Sequence, residues 1–133
     1  AWKPTLAAAR DVYKQAGITN PMQEIHLAQV HDCFTMTELL TYEDLGFIAK
    51  GSASEHITNG TFELDGALPV NTDGGLKTFG HPTGATGVRM IYENVLQLQG
   101  RAGARQVKGA TMALSHNLGG APQTCGLAIL GIE

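Results

Sequence analysis

The stretch Gly80-His81-Pro82-Thr83-Gly84-Ala85-Thr86-Gly87 constrains this chain more than any other. Its glycines allow positive φ and close approach of the backbone to a ligand. It runs directly into Val88, Ile91, Tyr92, Val95 and Leu96, which are spaced as the apolar face of a helix over 83–98 with Gly100 as its stop. A helix start presents free N–H groups and partial positive charge. A histidine held there is suited to bind a developing oxyanion or to move a proton near neutral pH. The turn reads as a reactive element, although a loop histidine can also simply pack a turn.

The remaining elements follow from spacing and breakers. Trp2 to Ala16 reads as a helix: Pro4 suits its first turn, Leu6, Ala9, Val12, Tyr13 and Ala16 recur at helical spacing, and Gly17 is its stop. Asn20-Pro21 marks a turn. Ile25 to His31 reads as a short buried strand, and a helix is expected from Phe34 to about Ile48, capped by Asp32 or Thr35. Glycines and Pro69 interrupt residues 51–80, which read as irregular. Lys108–Ser115 and Thr124–Leu130 read as an antiparallel pair of strands joined by the loop His116-Asn117-Leu118-Gly119-Gly120-Ala121-Pro122. The order implies a layered α/β domain, a thin mixed sheet covered by helices. Such a unit normally opens on a strand, and this chain opens on a helix. The expectation is a single domain over 1–133 that lacks its first strand and is a fragment of a larger protein.

Composition narrows the function classes. With 133 residues, 43% hydrophobic and 16% charged, the chain can bury a core and is not of disordered type. A net charge of −3 gives no electrostatic case for nucleic acid. No apolar run approaches the roughly 20 residues of a membrane span. Cys33 and Cys125 allow at most one bridge and match no zinc or redox motif, which suggests a reducing compartment. The five histidines form no metal constellation, so no metal site is expected, and His26 and His56 carry no functional expectation. No dinucleotide fingerprint follows a strand. Arg89, Lys77 and Lys108 read as solvated single charges.

The chemistry-bearing residues fall in three loops. His31-Asp32-Cys33-Phe34 lies where a strand gives way to a helix, the Gly80–Gly87 turn precedes a helix, and His116-Asn117-Leu118-Gly119-Gly120 follows a strand. In open α/β sheets, sites gather beyond the carboxyl ends of strands, where all three loops can meet. Cys33 reads either as a small buried hydrophobe or as a thiol made acidic by a helix start. His31 reads either as a satisfied strand-end histidine or as a functional one, and Asp32 as a cap or an orienter. Cys125, inside the final strand, reads as structural.

Taken together, these motifs resemble the C-terminal half of a thiolase. Asn71-Thr72-Asp73-Gly74-Gly75 followed by Gly80-His81-Pro82-Thr83-Gly84-Ala85-Thr86-Gly87 is similar to the family's glycine-histidine-proline loop. His31-Asp32-Cys33-Phe34 resembles the loop of sterol-carrier-protein-type (lipid-transfer) thiolases, where most thiolases carry Asn-Glu-Ala-Phe. The likeness runs from about Pro4 to Gly131. It implies reversible thiolytic cleavage of 3-ketoacyl-CoA, or the reverse Claisen condensation, with acyl-CoA and coenzyme A as substrates and no tightly bound cofactor. It implies a nucleophilic cysteine in an N-terminal half, without which this chain is expected to be inactive.

By the same resemblance, His81 donates to the thioester oxygen and helps activate that cysteine. Cys33 is the acid/base thiol. His31 stands where most thiolases use an asparagine to position an oxyanion-hole water. His116 is a fourth catalytic candidate, in a loop where many thiolases place Cys-x-Gly. Gly80, Pro82, Phe34, Asn117 and Gly119 are the expected substrate-binding residues. The family implies a homo-oligomer. An alternative is a thiolase-like retro-aldolase acting on steroid-side-chain CoA esters with a small OB-fold/zinc-ribbon partner subunit. A second alternative is a non-catalytic subunit that binds acyl-CoA or lipid. The expected setting is the cytoplasm, or the peroxisome in a eukaryote; Gly131-Ile132-Glu133 is no targeting tripeptide.

Overall fold

A computed structural model describes residues 1–120 and 123–132. Three strands form one mixed sheet in the order β1-β2-β3, where β1 is Leu27–Gln29, β2 is Met112–Gly119 and β3 is Thr124–Gly131. β1 runs parallel to β2, with Leu27 opposite Ala113 and Gln29 opposite Ser115. β2 and β3 are antiparallel, from Met112 opposite Gly131 to Gly119 opposite Thr124. The far side of β1 is bridged once, Ala28 to Val70. Ala121 and Pro122, part of the expected connecting loop, lie outside the described residues.

The helices are α1 (Lys3–Ala16), α2 (Pro21–Glu24), α3 (Thr35–Asp44), α4 (Ala53–Thr58), α5 (Gly75–Phe79) and α6 (Thr86–Leu98), with a 3-10 turn at Gly103–Arg105. α1 matches its sequence signals: Pro sits in the first turn, and Gly17 closes it at φ 72° with its N–H on Tyr13 O. Alternation along the strands sorts the two faces of the sheet. Ala28, Val30 and Leu114 join Ala9, Ile25, Tyr42, Leu45 and Phe62 in the larger apolar cluster, beneath α1 and α3. Leu27 and Ala113 face the other way, into a smaller cluster with Leu98, Val107 and Ala110.

Several expectations are corrected. The strand expected at 108–115 runs instead from Met112 to Gly119, so His116, Asn117, Leu118 and Gly119 are strand residues rather than loop residues. β1 is only three residues long, and α3 ends at Asp44, before the left-handed turn at Gly46. Residues 51–80 are not irregular throughout, because they hold α4 and α5. The expected apolar face of α6 is only partly its buried face: Leu96 is buried, and Ile91 and Val95 are half-buried. Val88 and Tyr92 are exposed, whereas Met90, Glu93, Asn94 and Gln97 are buried. Arg89 and Lys77 are not free charges: Arg89 pairs with Asp73, and Lys77 with Glu38 at 2.6 Å.

Candidate active site

Because β1 and β2 are parallel, their carboxyl ends emerge on the same side. The pairing Gln29–Ser115 carries the chain on to His31 and Asn117, and these two side chains meet: Nδ1 of His31 lies 2.8 Å from Oδ1 of Asn117. An amide oxygen only accepts, so Nδ1 carries the hydrogen and Nε2 keeps its lone pair. His31 is buried. That burial lowers its pKa below the ordinary imidazole value; the Asn117 bond opposes the shift and the neighbouring His81 adds to it. His31 is therefore a neutral base with one free nitrogen.

His81 reaches the same place from the glycine-rich turn. Its ring stands edge-on to that of His31, at 89° and 4.8 Å between centroids. Its Nδ1 lies 2.8 Å from Oγ1 of Thr86, the first residue of α6. The Thr86 hydroxyl donates to Pro82 O at 3.4 Å, so its oxygen accepts from Nδ1–H and leaves Nε2 of His81 free. Gly80 and Gly84 take φ of 75° and 84°, which a side-chain-bearing residue adopts only at a cost. Gly80, Pro82 and His81 are exposed.

Cys33 and Phe34 follow His31 at the entrance to α3. The thiol is free and exposed, not a buried hydrophobe, and its Sγ lies 3.7 Å from Oγ1 of Thr37. Phe34 is 73% exposed. A cavity of about 210 Å³ is lined by Trp2, His31, Cys33, Phe34, Thr37, Leu118 and Gly120. His31 thus belongs both to the Cys33 cavity and to the His81 contact. Asp32 does not cap α3. Its buried carboxylate accepts from Leu76 N at 2.8 Å and Lys77 N at 3.4 Å, at the start of α5. A Cβ on Gly75, which has φ +61°, would fall 2.5 Å from Asp32 Oδ2.

His116 is placed differently. It lies next to Asn117 in β2 but points to the opposite face, fully buried under α1. Its Nε2 is 3.0 Å from Thr5 Oγ1, and its Nδ1 accepts from His31 N at 3.5 Å. Burial pushes its pKa down to about 3, so it stays neutral and bonded on both sides. Its ring has no solvent-facing surface from which to reach substrate, so its place in the site is as a support for the His31 backbone. Gly119, at the end of β2, is exposed. Cys125 sits in β3, half-buried, with its pKa raised by that burial. Among the described residues no cluster of three or more His, Cys, Asp or Glu is arranged to hold a metal ion. No helix of the described residues is long and apolar enough to cross a membrane.

Thr37, Thr86, Trp2 and Leu118 were not singled out from sequence. Two of them had a signal: Thr37 stands one helical turn after Cys33, and Thr86 is a hydroxyl residue at the helix start that His81 precedes.

The family described as "Thiolase C-terminal domain-like" matches residues 2–132. The chain belongs to the thiolase family. Among relatives in this family, an acetyl-CoA acetyltransferase of Methanothermobacter thermautotrophicus is 46% identical over 125 residues, covering 94% of this chain and 32% of that protein. Human sterol carrier protein 2 is 45% identical over 112 residues, covering 84% of this chain and 20% of that protein. The chain thus spans a third or less of the thiolase relatives it matches. A solved structure titled "Ltp2-ChsH2(DUF35) aldolase" superposes with a TM-score of 0.81 at 35% identity, covering 96% of this chain and 31% of that one.

Proposed function

We propose that this thiolase domain supplies the base, the oxyanion donors and the acid/base thiol of a coenzyme A-dependent acyltransferase. The reaction is reversible thiolysis of a 3-ketoacyl-CoA, with the nucleophilic cysteine on an N-terminal half. The observation that carries this reading is the position of His31, shared between the Cys33 cavity and the edge contact with His81. The free Nε2 of His81 takes the proton of the nucleophilic thiol. The resulting imidazolium, now a donor, holds the substrate carbonyl oxygen as charge grows on it. Nε2 of His31 orients a water towards the same region. When the carbon–carbon bond breaks, Cys33 gives its proton to the leaving enolate carbon and recovers it from the incoming coenzyme A thiol. Gly80, Pro82, Phe34, Asn117 and Gly119 line the approach, and His116 holds the His31 backbone. The free cysteines support a reducing setting, the cytoplasm or, in a eukaryote, the peroxisome.

The exposed face of α6 supports the need for a second half. Val88 is 69% exposed and Tyr92, one turn further along the helix, 61%. Such a patch on a folded domain normally meets another surface. The isolated chain is expected to self-associate or melt at low temperature. A monodisperse monomer with a high Tm, seen by light scattering and calorimetry, would count against that.

Retro-aldol cleavage of a CoA ester is the second reading, favoured by the likeness to the aldolase structure, and it would bring a small partner subunit of OB-fold/zinc-ribbon type. Cys33 favours thiolysis, because retro-aldol cleavage needs no thiol to take up the proton of an incoming coenzyme A. The test uses the full-length protein. Thiolysis consumes free coenzyme A, and retro-aldol cleavage does not. Cys33→Ser and His81→Asn are each expected to lower kcat for thiolysis by about 10²–10⁴-fold, the usual range for a lost acid/base group. Full activity in Cys33→Ser would end the thiolase reading of that residue.

A further inference from the structure

His81 is carried by a loop that contributes nothing to the core. Residues 81–85 are all exposed. Beneath the loop lies a cavity of about 220 Å³, lined by Phe79, Gly80, Pro82, Ala85, Thr86 and Arg89. No packed side chain fills that space, so the position of the loop must be set at its two ends. One residue touches both. Arg89 stands on α6 one turn beyond Thr86, the hydroxyl that receives His81 Nδ1–H. Its Nη1 pairs with Asp73 and reaches Gln29 Oε1 at 3.4 Å. Asp73 in turn accepts from Gln29 Nε2 at 3.2 Å and from Gly75 N at 3.1 Å, the start of α5. At the other end of α5, the Phe79 ring lies over the Arg89 guanidinium, 5.1 Å from Cζ to the ring centroid. Phe79 is 56% exposed and immediately precedes Gly80.

Arg89 therefore joins four points: β1 through Gln29, the first turn of α5 through Asp73, the last residue of α5 through Phe79, and α6 through its own backbone. The Nε and Nη2 atoms of Arg89 are buried without a hydrogen-bond partner among the described residues. A surface ion pair would not bury unpaired guanidinium donors, because burying them costs free energy. Their burial fits a guanidinium covered by the Phe79 ring, a contact that the compact ammonium of lysine does not reproduce.

We propose that Arg89 is a positioning residue: by clamping both ends of the Gly80–Ala85 loop across an unfilled cavity, it sets where His81 stands against His31. The proposal rests on the reading of His81 as the base of an acyl-CoA reaction. Its experiment is chosen so that the two can fail separately. Arg89→Met, Arg89→Lys and Phe79→Leu are made in the full-length protein. Each is crystallised and assayed for thiolysis, with kcat counted per titrated nucleophile. Displacement of a catalytic group by about 1 Å can cost of order 100-fold. Arg89→Met is accordingly expected to move the His81 ring away from its edge contact with His31 and to lower kcat about 10- to 100-fold, with KM for the CoA ester within twofold.

Arg89→Lys keeps the Asp73 charge pair but loses the guanidinium under Phe79, and Phe79→Leu loses only the ring. Both are expected to give part of the effect. A merely structural arginine would lower Tm and the number of active sites while leaving kcat per site and the imidazole contact unchanged. That result in Arg89→Met overturns the proposal, and so does an unmoved His81 in Phe79→Leu should Arg89→Met fail to fold. If the wild-type protein turns over no acyl-CoA substrate, the functional reading falls, and the ring positions in the variant crystals still decide whether Arg89 is the clamp.

Discussion

The two faces of the sheet are built on opposite principles. Under α1 and α3 the buried side chains are mainly apolar: Ile25, Ala28, Val30, Leu45, Leu68 and Leu114 are fully or nearly fully buried and Tyr42 stacks on Phe62 at 3.9 Å, with Thr5, Thr41, Asp44 and His116 as the polar exceptions. Under α6 the buried side chains are largely polar. Glu93 takes two bonds from Arg105 at 2.9 Å, Gln97 bonds Thr72, Glu93 and Arg105 O, Asn94 bonds Leu114 O, and Arg89 pairs with Asp73. Apolar burial is non-directional and scales with area, whereas hydrogen bonds contribute little net free energy but fix orientation. The first face holds the domain together. The second holds the His31, His81 and Asp73 loops in register and carries the His31–His81 contact, whereas Cys33 opens on a cavity shared with Trp2, Thr37 and Leu118.

This contrast is broken most directly by cutting into each face in turn. Leu114→Ala removes a fully buried side chain from the centre of the apolar cluster. It is expected to destabilise by about 2–5 kcal/mol, the usual range for such a truncation. Denaturant melts at constant m-value measure this. Gln97→Met on the polar face keeps volume and is expected to cost about 1–3 kcal/mol, the penalty of orphaned buried partners rather than of a cavity. Equal losses at the two positions would remove the distinction between a face that stabilises and one that orients.

Gly75→Ala sharpens the comparison at the point where the polar face meets the site. The new Cβ would meet the Asp32 carboxylate at 2.5 Å, and the residue would have to hold φ near +61°. The strain is of order 1–3 kcal/mol in a left-handed conformation. Asp32 follows His31 directly, so the change is expected to reduce activity of the full-length protein by more than its loss of stability accounts for. A drop in Tm with unchanged kcat would show that the α5 start is only structural.

The long helices and the terminal hairpin were legible in the sequence because their periodicity spans several turns. α4 and α5 were not, because six and five residues are too few to show a period. His116-Asn117-Leu118-Gly119 reads as a turn by residue type, yet pairing with Gly126 and Cys125 holds it in the strand. This is a tertiary effect that no local signal reports. The α6 stripe was misassigned for the same reason. Of the stripe Val88, Ile91, Tyr92, Val95 and Leu96, only Leu96 is buried, Ile91 and Val95 are half-buried and Val88 and Tyr92 look outward, while Glu93, Asn94 and Gln97 look in. His31, Cys33 and His81 were readable from their loops. The partner of Asp32, 44 residues further along the chain, was not, and nor was the Arg89 clamp.

His116 and His31 give the smallest expected effect and the finest test of the two faces. The His31 N–H donates to Nδ1 of His116, yet the two rings stand on opposite sides of the sheet. In the unfolded chain an imidazole titrates near 6.5. In the folded protein the burial of His116 takes that value down to about 3. Between those limits the unfolded chain binds a proton that the native state refuses, so stability is complete above pH 6.5 and falls as pH drops towards 3. The slope from one such group is at most about 1.4 kcal/mol per pH unit. The pKa of His31 is lowered in the same direction, and the two losses reinforce each other. His116→Gln can still bond Thr5 but has no proton to take. Its melts between pH 7 and pH 5 should run flatter than those of the wild type, with most of the difference below pH 6.5. Parallel curves would mean that His116 is protonated in the folded protein, with the buried Asp44 carboxylate as the charge that favours an imidazolium there.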